Sequence, residues 1–247
     1  MNSALLEELT QRFENLYQQT EVPEALSYLK TLKYHHTFRV QNFCIRIARD
    51  LDWTESATTT AAAIGLLHDV GRFPQLAVYG HMMDETSLDH AQRSTEIVRD
   101  GNWLSTCPET ERQIVLTAIT QHNKKWLDPN LSEESLRFAR LIRDADKLDI
   151  LDRIFDELKE KFATEERTPS PALVAQVLVG QKVENLDITS FPDLLMRWVV
   201  WPYEMNYRPS LRILKESGAM TRIFDFLAET DDIRHIRSEV MAFMDRA

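Results

Sequence analysis

Residues 58–71 read TTTAAAIGLLHDVG. Up to Leu67 the run is apolar or small on nearly every side, which is the pattern of a buried helix rather than of an amphipathic surface one. It ends on an adjacent histidine and aspartate, and Gly71 is placed to stop the helix. The segments on either side also carry their apolar residues at helical spacing. Residues 4–18 form one amphipathic stripe. Val40, Phe43, Cys44, Ile47 and Ala48 form another, and a further helix starts between Ser87 and Asp89. Thr106-Cys-Pro-Glu109 reads as a capping box opening the ERQIVLTAITQH helix, and Ser132-Glu-Glu opens the one through LRFARLIRDADKLDILDRIF. Two stretches resist a helical reading: 71–87, with Gly71, Pro74 and Gly80, and 123–132, with Pro129. Both follow a histidine at a helix end, which makes them rims of a site. The expected fold is all-α, a compact helical bundle. A core helical domain occupies 1–165, with a linker at 163–171. A helical extension over 166–247 has segments at 171–180, 191–205, 209–217, 221–229 and 231–246.

Composition agrees. The 247 residues include 6 glycines, too few for a hairpin-rich β architecture, and two cysteines, Cys44 and Cys107, too few for a disulfide framework. No apolar run reaches the roughly 20 residues that cross a bilayer. The start, MNSALLEELTQRFENL, lacks the basic opening of a signal peptide. A cytoplasmic protein without a membrane partner is expected. The net charge of -10 argues against a long nucleic-acid partner.

The histidines share one placement. His36 precedes Val40 and Phe43 by four and seven residues, and His68 follows Ile64 and Leu67. His90 precedes Ser94, Ile97 and Val98, while His122 follows Val115 and Ala118. Asp69 adjoins His68, and Asp146 stands four residues from both Ile142 and Ile150. Each taken alone has an ordinary explanation: a hydrogen-bonded core histidine, a helix-end aspartate, an aspartate paired with Arg140 or Arg143. Jointly they direct six ligand-type groups to one interior. Buried carboxylates are costly without a cation, and imidazole with carboxylate suits Mn, Fe, Co, Ni or Zn.

This ordered series, His36, LLHDVG with His68 and Asp69, His90, His122 in TQHNKK, and RDADKLD with Asp146, resembles the HD-domain superfamily of metal-dependent phosphohydrolases over residues 25–155. The resemblance implies one or two divalent transition-metal ions. The first would be held by His36, His68, Asp69 and Asp146. Asp69 would bridge to a second on His90 and His122, with Asp144 and Asp149 in supporting or solvated positions. Such a centre acidifies a water to hydroxide and clamps a phosphoryl oxygen. Arg72 and Lys147 are the cations best placed for the remaining phosphate oxygens. Lys124 and Lys125 stand on a rim, and His81 is a proton donor to the leaving oxygen if it reaches the site. Tyr79 and Trp126 sit in the two rim stretches.

The sequence lacks the HHE and glycine-tyrosine-proline signature of the cyclic-di-GMP phosphodiesterase branch and the Glu-Asp pair of the (p)ppGpp hydrolases. The expectation is hydrolysis of a small phosphate ester or phosphodiester, a nucleotide among them. Oxygenases with two irons on this scaffold, and a non-catalytic metal-binding module, are the alternative readings. The extension could close the site, cover core surface or form a homodimer contact. The overall acidity does not oppose a phosphate ligand, because metal would neutralise Asp69 and Asp146.

Overall fold

The computed structural model describes residues 1–162, 166–181, 183 and 187–246; residues 163–165, at the start of the expected linker, lie outside them. The described residues contain helices and no strand, so the fold is all-α. No described helix is long and apolar enough to cross a membrane. The chain divides into two compact units, Met1–Asp146 and Lys147–Ala247.

The first unit is built around the opening stretch of the sequence analysis. Helix α3 (Glu55–Leu67) buries every residue from Thr58 to Leu67. It packs against α1 (Ser3–Gln19), α2 (Ser27–Asp50) and α6 (Glu109–Gln121). Small residues make that possible. A Cβ on Gly65 would lie 2.8 Å from Gln41 Cα and 3.0 Å from Cys44 Sγ, so this glycine sets the spacing of α2 and α3. Phe13 joins α1 to α2 through Tyr34 and Phe38, and reaches Phe73 of α4 (Arg72–Tyr79) at a centroid distance of 5.7 Å. Helices α5 (His90–Asp100) and α7 (Glu133–Asp149) complete the set of elements that carry the candidate ligands.

Three local expectations are corrected. Gly71 does not terminate α3. That helix ends at Leu67 with right-handed geometry at His68, and Gly71 has φ -67°. Its lack of a side chain serves contact instead, since a Cβ there would lie 2.4 Å from His90 O and 2.7 Å from Ser94 N. The stretch 71–87 is not wholly irregular, because Pro74 falls in the first turn of α4, where its missing N–H costs no helical bond. Gly80, at φ 74°, ends that helix in the left-handed conformation. The capping box at Thr106–Glu109 does not form. Pro108 is the N-cap and has no side-chain acceptor, while Glu109 turns forward to accept from Gln113 Nε2 at 2.8 Å. The other starts agree with the sequence: Asp89 caps α5 by accepting from the N–H groups of Ala91 and Gln92, and Ser132 Oγ accepts from Ser135 N–H.

The second unit contains α8 (Phe155–Lys161), α9 (Pro171–Leu178), α10 (Phe191–Trp198), α11 (Arg208–Ser217), α12 (Ala219–Phe226) and α13 (Asp231–Arg246). Phe191 is in ring contact with Phe155, Trp198 and Phe226. Asp193 is fully buried and accepts from the backbone N–H and hydroxyl of both Ser170 and Thr189, which satisfies its carboxylate.

Candidate metal centre

The six sequence-derived positions converge within the first unit. Helix α2 carries His36, fully buried. His68 follows the last residue of α3, and its Nδ1 lies 2.8 Å from Gly65 O. A carbonyl can only accept, so Nδ1 carries the proton and Nε2 presents a lone pair to the interior. His122 repeats the device at the end of α6, with Nδ1 2.7 Å from Ile119 O. In both, a carbonyl of the helix's last turn orients a metal-ligand type of side chain. His90 opens α5, and its Nδ1 meets Asp84 Oδ2 at 2.5 Å.

Asp69 stands at the centre, and its two oxygens face different histidines. Oδ2 is 3.6 Å from His36 Nε2 and 3.5 Å from His68 Nε2. Oδ1 is 3.3 Å from His90 Nε2 and 3.7 Å from His122 Nε2. Asp146 Oδ1 approaches the first pair only, at 3.1 Å from His36 Nε2 and 3.9 Å from His68 Nε2.

The donor set fits a metal on two observations. His68 Nε2 is buried and makes no hydrogen bond. His90 Nε2 and His122 Nε2 lie 3.0 Å apart although the Nδ1 of each faces an acceptor. A hydrogen bond between them would turn one Nδ1 lone pair onto a carbonyl or a carboxylate. Two nitrogens at about 2.1 Å from one ion would be about 3.0–3.4 Å apart, so a shared cation resolves the conflict.

Electrostatics favour the ligating forms. Burial pushes His68 down to about 3 against the opposing charge of Asp69. It pushes His90 down to about 4 even though the bond to Asp84 works the other way. Both are neutral imidazoles at pH 7. Burial by itself would raise the carboxyl of Asp69, yet the Lys33 ammonium and the facing histidines His68, His122 and His36 together outweigh it and hold the group well below the carboxylate range. Asp146 is likewise held low, against burial, by its contact with His36.

The proposed substrate cations are placed differently from one another. Arg72 approaches Asp69 Oδ1 with Nε at 3.7 Å, but its Nη1 donates to Gln75 Oε1, Met82 O and Asp84 Oδ1. Lys124 pairs with Asp89, and Lys125 is exposed. His81 is half-buried; its Nδ1 accepts from Met83 N–H at 3.2 Å, and its ring lies beside Tyr79. Lys147 belongs to the second unit, where it donates to Glu204 Oε2 at 2.7 Å and lies over the Trp201 ring. Asp144 and Asp149 are both fully buried.

The sequence reading missed four contributors: Lys33, Asp84, Gln75 and Asn123. Lys33 had a signal, since it precedes His36 by three residues and so shares its helix face. Asp84, Gln75 and Asn123 had none, because their partnership exists only after the 80–89 and 122–126 segments meet.

Residues 34–151 match the family model described as HD domain. The chain is also similar to the 3'3'-cGAMP-specific phosphodiesterase 1 of Vibrio cholerae serotype O1 (strain ATCC 39315 / El Tor Inaba N16961). The two are 25% identical over 183 residues, which is 73% of this chain and 41% of the relative. The chain therefore spans about two-fifths of that relative's length. No solved structure matches it. The ordered ligand series, the all-α architecture and the matched residues together lead to one conclusion: residues 34–151 of this chain are similar to the HD domain in sequence, in the order of their ligand-type residues and in helical class.

Proposed function

We propose that this protein hydrolyses a phosphate ester or phosphodiester bond in a small nucleotide-class molecule, using two divalent transition-metal ions. The observation that carries the reading is the division of Asp69, with Oδ2 toward His36 and His68 and Oδ1 toward His90 and His122. A carboxylate can serve two ions at once, whereas each imidazole nitrogen serves one. His36, His68, Asp69 and Asp146 would hold the first ion, and Asp69, His90 and His122 the second. Such ions supply Lewis acidity toward a phosphoryl oxygen and toward the attacking water.

The chain's own groups do the rest. Asp69 sets the spacing of the two half-sites, and the helix-end carbonyls of Gly65 and Ile119 keep the His68 and His122 lone pairs aimed inward. The Arg72 guanidinium, close to Asp69 and anchored on Asp84, keeps positive charge beside the position of a phosphoryl oxygen. The relative named as a phosphodiesterase of 3'3'-cGAMP favours a diester over a monoester. Lys124, Lys125 and His81 are proposed rim contacts, and Lys147, the residue after Asp146 in the chain, is a proposed phosphate contact.

The test is turnover by metal-reconstituted protein, without oxygen, on a panel of cyclic dinucleotides including 3'3'-cGAMP, linear dinucleotides and mononucleotides. Release of a phosphomonoester or of inorganic phosphate under anaerobic conditions is the expected result. Turnover that strictly requires oxygen would replace hydrolysis with oxygenase chemistry.

A further inference from the structure

His68 and His122 are oriented by carbonyls of their own helices. His90 is oriented otherwise. As the first residue of α5 it has no preceding helical turn to offer a carbonyl, and its Nδ1 instead meets Asp84 Oδ2, six residues earlier. Asp84 is itself gripped from three directions. Its Oδ1 accepts from Arg72 Nη1 at 2.8 Å and Gln75 Nε2 at 3.0 Å, and its Oδ2 accepts from Asn123 Nδ2 at 3.2 Å.

The same partners fasten the segment around Asp84. Gln75, fully buried, also donates to Ser87 Oγ and Leu88 O, and Arg72 donates to Met82 O. On the other side Asn123 donates to Asp89 Oδ1 at 2.8 Å, and Lys124 pairs with Asp89. The 82–89 segment is thus tied to α4 and to the residues that follow His122, and both sets of ties meet at Asp84.

We infer that Asp84 is the positioning residue of the His90–His122–Asp69 half-site, and that the 82–89 segment, through Asp84, sets how tightly this half-site takes its ion. The inference rests on the two-ion reading above. The other half-site adds His36, His68 and Asp146 to the shared Asp69, and Asp84 makes no hydrogen bond or ion pair with any of those three. A carboxylate that accepts from the distal N–H of a ligating histidine fixes its tautomer and raises its basicity, and losing it costs about 10–100-fold in metal affinity. Loading of one ion thereby depends on how the 82–89 segment is tied down, and loading of the other does not.

The experiment is a calorimetric titration of chelator-stripped full-length protein with Mn²⁺, Co²⁺ and Zn²⁺ separately, with bound metal counted by elemental analysis. Wild type is expected to take two ions. Asp84→Ala should hold one with affinity within about threefold of wild type and weaken the other by about 10–100-fold, with Asp84→Asn between them. Two ions at wild-type affinity in Asp84→Ala, or equal weakening of both in a folded variant, would overturn the inference while leaving the two-ion reading intact. One ion in wild type would overturn that reading itself. Nitrogen-15 NMR of the histidine-labelled wild-type protein decides the matter independently of how the variants fold. His90 should carry its proton on Nδ1 with a strongly downfield resonance, and a proton on Nε2 would overturn the positioning role.

Discussion

Lys33 Nζ lies 2.7 Å from Asp69 Oδ2, the carboxylate oxygen that also faces His36 and His68. Without metal, this ammonium is the nearest full positive charge to a buried carboxylate. Lys33→Met removes the nearest compensating charge and leaves only the more distant Arg72, a change worth up to about 3–5 kcal/mol of stability, the cost of removing one member of a buried pair. The loss should be largest in chelator and mostly recovered on adding metal, which supplies the missing charge. Urea unfolding under the two conditions measures it; equal destabilisation in both would show that Lys33 acts through packing instead.

Removing the proposed bridging carboxylate has a different signature. Asp69→Ala would take one proposed ligand from each half-site, so turnover should fall by about a thousandfold or more and metal content should drop toward zero. Inductively coupled plasma analysis beside the activity assay gives both readouts. Wild-type turnover in this variant would remove Asp69 from the chemistry.

The metal-free protein should be acid-sensitive in a defined window. His68 and His90 fall from an unfolded value of 6.5 to about 3 and about 4, chiefly because burial disfavours the charged ring. Their folded values are depressed, so the unfolded chain binds protons first. The stability they protect is complete above pH 6.5 and drains as pH falls toward about 4 and then about 3. Each tenfold difference in proton affinity is worth about 1.4 kcal/mol. Asp69 and Asp146, held low by their partners, add to the loss only below the ordinary carboxylate range. Urea midpoints of chelated protein between pH 7 and 4 should decline steadily, and a flat profile would contradict the burial of neutral imidazoles.

Gly71→Ala tests the close approach of the turn after Asp69 to α5. The new methyl would meet backbone at His90 O and Ser94 N, neither of which can move as a flexible side-chain tip would. A cost of about 1–3 kcal/mol is expected in chemical unfolding. Because His90 is one of the two residues displaced, binding of one ion should weaken as well. An unchanged urea midpoint would mean that α5 shifts freely.

Much of this was legible along the chain. The all-apolar run at 58–67 required a central helix, since only burial on every side accounts for it, and the histidine positions relative to Ile64, Val40 and Val115 gave their inward direction. Where the reading failed, it weighed a residue type without its surroundings. Gly71 looked like a helix stop and is a contact glycine. Pro74 looked like a breaker and sits in a first turn, where proline is tolerated. Thr106 and Glu109 had the letters of a capping box, but the helix starts one residue after Pro108.

The sequence by itself determined the helical class, the order of the six ligand-type residues and the resemblance of residues 34–151 to the HD domain. Periodicity and ligand chemistry are local properties, carried by each segment wherever it ends up. Tertiary structure decided the rest: which oxygen of Asp69 faces which histidines, that Lys33 pairs with that carboxylate, and that Asp84 holds His90 through a segment tied down by Gln75, Arg72 and Asn123. These relations join residues from different segments of the chain, and a hydrogen bond of 3 Å between them exists only once the helices and the segments between them have packed.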